Sequence, residues 1–225
     1  MPVTRPAGDT GGADPAVAAA LAAYAAGKAP ERAALTALAA SRLLVPVVAV
    51  LAAGGDASVG DASVGDASAE KLGTEKETEM ALPTLIGNDG RKAVIAFTGT
   101  DTVRRWRADA RPVPVPAARL WPAAAAEQAD AVVIDVAGPV PMVVEGARLR
   151  ALANGTPLPF PHEDPDIRAQ VAGVTSDFTL EPGGPDADLT VTLKAMKQAD
   201  ARVVAEQIAA RLAHRLRRGI AVRIG

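Results

Sequence analysis

The most apolar run in the chain, Leu43–Ala53 (LLVPVVAVLAA), sets the strongest limit on its fold. It is about half the length needed to span a bilayer, and Pro46 stands where a helix would lose a backbone hydrogen bond. Such a run is expected to be a buried strand. Aromatic residues make up only 3% of the chain against 49% hydrophobic residues overall. The core must therefore be assembled from many small aliphatic contacts, and few rings are on hand to stack nucleic-acid bases. That apolar content also rules out disorder along the whole length.

The rest of the chain alternates helix-like and strand-like segments. Asp14 and Pro15 supply a cap and a first-turn proline for an alanine-rich helix ending near Gly27. A second helix over PERAALTALAASRL turns Leu35, Leu38, Arg42 and Leu43 to one side, with Glu31, Arg32 and Ser41 on the other. Two apolar runs around Asn88-Asp89-Gly90 predict a hairpin, because these residues accept the positive φ of tight turns. Thr98 or Thr100 is the expected cap of a short helix carrying Val103 and Trp106 inward. RPVPVP should be extended, followed by a helix over Ala117–Gln128, strands AVVID and MVVEG, and a helix from near Glu145 to Asn154.

The fold class expected is α/β (α+β): a mixed sheet flanked by helices, with a second small α+β unit. Residues 1–13 are expected to be a disordered tail, 14–155 the main domain, 156–166 a proline-rich linker and 167–225 the small unit. In that unit IRAQVAGVTSDFTLEP and DLTVTLKA are expected strands. A long helix should follow, with a stripe of Val204, Ile208, Leu212 and Leu216, with Arg211, Arg215 and Arg218 away from it, and GIAVRIG should be the last strand. A pentapeptide repeat, GDASVGDASVGDASA (Gly55–Ala69), sits in an expected disordered insert at about 53–79. One acid per unit and barely three units are too few for a calcium-binding or solenoid coil.

Several segments together, ALTALAASRLLVPVV, LPTLIGNDGRKAVIAFTGTDTVRRW, RPVPVPAARL and AVVIDVAGPVPMVVEG, resemble the SseB protein N-terminal-domain family in order and spacing, over roughly Glu31 to Leu152. The resemblance implies a cytosolic bacterial α/β domain and carries over no reaction and no catalytic residue.

For chemistry the sequence is sparing. With no cysteine there can be no thiolate nucleophile, disulfide or cysteine zinc site, which fits a cytoplasmic location. The polar, glycine-rich start and the weakly hydrophobic alanine run after it are not expected to act as a secretory h-region. No G-x-G-x-x-G, P-loop or G-x-S-x-G motif occurs, and no cofactor is expected. Carboxylate or imidazole metal ligands could come from Asp135, at the end of AVVID, or from His162, Glu163 and Asp164 in PFPHEDPD. A turn-capping aspartate and a solvated acidic linker account for the same residues without a metal. His214, near a helix C-terminus, is expected at the surface.

With 24 basic and 26 acidic residues the chain has no global field to hold nucleic acid or membrane. Arg104, Arg105, Trp106 and Trp121 mix cations with rings, residue types enriched at protein interfaces; buried tryptophans are the plainer reading. The function expected is a non-catalytic protein-interaction or regulatory module, its partner another protein and homo-oligomerisation compatible with it. The alternatives are a carboxylate-centred or metal-assisted enzyme around Asp135, and nucleic-acid association through the terminal arginine helix.

Overall fold

A computed structural model describes residues 11–47, 84–87, 90–194 and 197–225. Nearly all of the expected tail, the DASVG insert, and Asn88 and Asp89 lie outside the described residues. In chain order the elements are α1 (Pro15–Ala25), α2 (Glu31–Ala39), β1 (Arg42–Val47), β2 (Thr84–Ile86), β3 (Lys92–Ala96), α3 (Thr100–Trp106), β4 (Arg111–Pro116) and α4 (Ala117–Ala126). They continue with β5 (Ala131–Ile134), β6 (Met142–Glu145), α5 (Gly146–Asn154), α6 (Pro165–Ala172), β7 (Phe178–Pro182), β8 (Leu189–Leu193), α7 (Gln198–Leu212) and β9 (Ile220–Ile224). Helices and mixed sheets together make an α+β protein.

The described residues form two units that do not follow chain order. One draws on residues up to Asp14 and on Ser41–Glu145; the other joins Pro15–Ala40 to Gly146–Gly225. The middle of the sequence is thus one unit, and the two flanks meet to make the other.

In the first unit β1 pairs antiparallel with β4, from Arg42 opposite Pro116 to Val47 opposite Arg111. Each strand carries proline, with Pro46 opposite Pro112 where neither residue has an N–H to give, while Leu44 two residues earlier exchanges hydrogen bonds with Phe97. A second sheet runs in the order β2-β3-β5-β6. The β2–β3 hairpin forms as expected, with Thr84 opposite Val94 and Gly90 at φ +78°. Strands β3 and β5 are parallel and so need a crossover, which α3, β4 and α4 provide. Leu44, Ile95, Phe97 and Val103 pack into one core cluster, with the Trp106 ring 5.6 Å from that of Phe97.

Two local expectations are corrected here. The α2 periodicity does not run on through Arg42 and Leu43; the helix stops at Ala39 and those residues open β1, because the β-branched run beyond them pairs with β4. Nor does a threonine cap α3. Gly99 is its N-cap, with no side-chain bond, since the Thr98 hydroxyl is taken by Asp135.

In the second unit β7-β8-β9 form a sheet with β7 antiparallel and β9 parallel to β8, and α7 is the crossover that the parallel pair requires. Ile167, Val171, Leu189, Val191, Leu193, Ile208 and Leu212 fill its core. The segment expected as one strand, IRAQVAGVTSDFTLEP, is instead α6 followed by β7. Asp164 and Pro165 explain why: the aspartate side chain accepts from the Asp166 and Ile167 N–H groups, and proline occupies the first turn. Ile167 and Val171, one helical turn apart, then face the core. The last helix also ends early, at Leu212, so Arg215 is not on a solvent face but 3% exposed. Tyr24 of α1 ties the N-terminal helices to this region, its hydroxyl donating to the His214 carbonyl at 2.8 Å.

The start of α5 depends on a neighbour. Gly146 has φ +59°, and a Cβ there would come 2.0 Å from Asp166 Oδ2, the atom that accepts the Ala147 N–H at 2.6 Å. Gly146→Ala should cost about 2–3 kcal/mol, combining left-handed strain with loss of the cap. Urea denaturation checks this; a loss below about 0.5 kcal/mol would show that the helix start relaxes freely.

Candidate functional site

Four charged side chains from separate parts of the second unit converge below its surface. Glu31 begins α2, Arg148 lies on α5, Asp164 caps α6 and Arg215 follows α7. They are 9%, 3%, 1% and 3% exposed, so their charges are compensated by one another rather than by water. Arg148 Nη1 donates to Glu31 Oε1. Arg215 reaches Glu31 Oε2 through Nε and Nη2, each at 3.4 Å, and Asp164 Oδ2 through Nη2 at 2.5 Å. Two guanidinium groups thus face two carboxylates. Burial pushes the Glu31 carboxyl above its ordinary range, against the pull of Arg148 and Arg215.

Above this network opens a pocket of about 650 Å³, within the range that holds a small ligand or a few side chains. Glu31, Arg148 and Arg215 form part of its lining, Leu158–Pro161 give it an apolar wall, and Asp188 and Arg218 stand on the β8 side. Phe160 is 46% exposed on that proline-stiffened wall. The Arg32 guanidinium lies 4.2 Å from its ring centroid, and the His162 ring centroid is 5.8 Å away. Asp188 Oδ2 accepts the Arg218 N–H at 3.0 Å, whereas buried Oδ1 has no hydrogen-bond partner among the described residues and meets Arg218 Nη1 only at 3.8 Å.

Burial raises the Asp188 pKa, opposed by the Arg218 N–H and charge. A raised carboxyl contributes stability that is complete below its ordinary value of 3.8 and is lost as pH climbs through the higher folded value. A carboxyl-carbon NMR titration should therefore place the Asp188 midpoint above 3.8. A midpoint at or below that value would refute the assignment.

The residues singled out from sequence are spread over both units. Asp135 lies in the first, 3% exposed at φ +50°, and receives the Thr98 N–H at 2.9 Å and the Thr98 hydroxyl at 2.6 Å. It thereby ties the end of β5 to the end of β3. Arg104 and Arg105 are exposed on α3 and Trp106 is half-buried, whereas Trp121 of α4 is 1% exposed. In the second unit Glu163 points outward, His162 Nε2 lies 3.8 Å from Glu163 Oε1, and Asp164 turns inward to Arg215. Among the described residues no three His, Asp or Glu side chains are grouped to hold a metal ion. His214 is exposed, as expected. Of the terminal arginines, Arg215 is held in the buried network and Arg218 donates to the Gly184 and Pro185 carbonyls.

A family model, the SseB protein N-terminal domain, matches residues 17–151, more than half of the 225 in the chain. The chain belongs to the SseB N-terminal domain family. No curated protein and no solved structure matches it. The SseB match starts within α1 and stops within α5, so it contains all of β1 to β6 but only the first flank of the second unit and part of α5. Glu31 and Arg148 fall inside the SseB segment, while Asp164, Asp188 and Arg215 lie beyond it. No helix among the described residues is long and apolar enough to cross a membrane.

Sequence reasoning placed Glu31 and Arg32 only on the polar side of a helix and missed Arg148, Phe160 and Asp188 altogether. One signal was there to use: Phe160 is one of only three phenylalanines in the chain and stands between two prolines, an arrangement that presents a ring rather than burying it.

Proposed function

We propose that this SseB-family chain is a non-catalytic protein-interaction module that works in the cytoplasm. The observation that carries the reading is Phe160: a large ring, nearly half exposed, set on a proline-stiffened wall and flanked by Arg32 and His162 at the pocket. Exposed aromatics beside arginine are what interface hot spots are made of, and a wall already stiffened by proline loses little entropy on binding. The buried carboxylates of the two units favour binding over reaction. Glu31 and Asp164 are tied to guanidinium groups and Asp135 to Thr98, which suits them to hold structure rather than to trade protons. Arg104 and Arg105, exposed beside Trp106, are a second contact surface within the same reading.

Affinity capture from native extract tests it, using the full chain and Phe160→Ala side by side. A stoichiometric protein partner retained by the wild type and lost by the variant is the expected result. No such partner at any salt concentration would remove the reading.

A further inference from the structure

We infer that the pocket of the second unit receives an acidic side chain of an extended peptide, with Arg32 as its counter-charge and Phe160 and Leu158 as the seat for the neighbouring apolar residue. The inference rests on the protein-interaction reading and names the chemistry of the partner.

Charge bookkeeping within the pocket points this way. Four arginines line it: Arg32, Arg148, Arg215 and Arg218. Arg148 is paired with Glu31, Arg215 with Glu31 and Asp164, and Arg218 with Asp188. Three carboxylates thus answer three arginines, and the positive charge left over is that of Arg32. Its Nε is buried without a hydrogen-bond partner among the described residues, and its contact is with a ring face, which holds a cation but fills none of its donors. A guanidinium shielded from water on one side and open on the other pairs best with a carboxylate, which its planar fork meets through two parallel hydrogen bonds.

The rest of the pocket separates a peptide from a free anion. Leu158, Pro159, Phe160 and Pro161 form an apolar wall next to that cation, where a bare inorganic anion would gain nothing. Asp188 Oδ1 adds a buried acceptor with an unused lone pair, suited to a backbone N–H, a donor that a peptide has and a bare inorganic anion lacks. A cation, an acceptor and an apolar wall in one pocket match an acidic residue flanked by leucine or phenylalanine on an extended chain. Burial of the neighbouring apolar residue shields the ion pair from water, so it is worth more than a pair on the open surface.

The probe is a fluorescein-labelled octapeptide alternating glutamate with leucine and phenylalanine, titrated against the full-length protein by fluorescence anisotropy. The control is the same peptide with glutamine for glutamate. The acidic peptide should bind at least tenfold more tightly than the glutamine peptide, and Arg32→Ala should erase at least tenfold of its affinity. Arg32→Lys should recover part of it, and Phe160→Ala should weaken both peptides. Far-ultraviolet circular dichroism and urea midpoints of the variants followed by that signal confirm that they are folded. Equal binding of the two peptides, no binding, or unchanged binding by Arg32→Ala would overturn the inference. So would equal competition by inorganic phosphate or acetate, which would mean that the pocket takes a free anion. A native partner that is captured by the full chain but not displaced by the acidic peptide would sink this inference alone, while absence of any partner sinks the wider reading.

Discussion

Glu31→Ala is expected to destabilise the second unit by about 3–5 kcal/mol, a loss large enough to unfold a marginal domain. The cost does not come from the ion pair being strong in itself. Arg148 and Arg215 are 3% exposed, and loss of Glu31 takes a carboxylate partner from both of them at once, Arg215 keeping Asp164. Removing one member leaves a desolvated charge, which is far more expensive than removing a matched pair. The double variant Glu31→Ala/Arg148→Ala should therefore lose less than the sum of the two single variants. The chain has two tryptophans, Trp106 and Trp121, both in the first unit, and its one tyrosine, Tyr24, is in the second. Urea unfolding followed by tryptophan emission and by far-ultraviolet circular dichroism will thus separate the units. A loss below about 1 kcal/mol, or one confined to the tryptophan signal, would show that the network contributes little.

Trp121→Ala should cost the first unit a comparable amount, about 3–5 kcal/mol. Trp121 is 1% exposed and leads the fully buried side chains in volume, so truncation opens a large cavity in a close-packed interior. The indole N–H, however, has no hydrogen-bond partner among the described residues. Trp121→Phe gives up volume but also removes that stranded donor, and it should lose no more than about 1.5 kcal/mol. Trp106 remains as the reporter in both variants. If phenylalanine proved as damaging as alanine, shape rather than the polar atom would govern the site.

Secondary structure was largely legible because it is local. The hairpin at Gly90, the extended RPVPVP segment and the α4 start at Ala117 follow from turn chemistry and proline geometry within a few residues. Errors arose where a local pattern was overridden from afar. Arg42 and Leu43 continue the helical period of α2, yet their pairing with Val115 and Pro116 draws them into a strand. The charged network was illegible for the same reason: Glu31 lies 117 positions from Arg148 and 184 from Arg215, and Asp164 lies 51 from Arg215. No periodicity links such partners. Glu31 at the start of an amphipathic helix looks like any solvated first-turn acid, and Asp164 among prolines and acids looks like linker. Only the Asp164-Pro165 pair carried a hint, since a capping aspartate followed by proline starts helices as often as it interrupts strands.

Because the second unit is assembled from both flanks of the sequence, its formation is tied to the direction of synthesis. A ribosome adding about 5–20 residues per second releases α1 and α2 first, then the whole of Ser41–Glu145, and only then the segments that supply Arg148, Asp164 and Arg215. For several seconds, on the order of the time needed to make the first unit, Glu31 has neither Arg148 nor Arg215 beside it. The first unit is complete as a chain while the second is still half made. Its closure waits on a sequence separation of 184 residues, from Glu31 to Arg215.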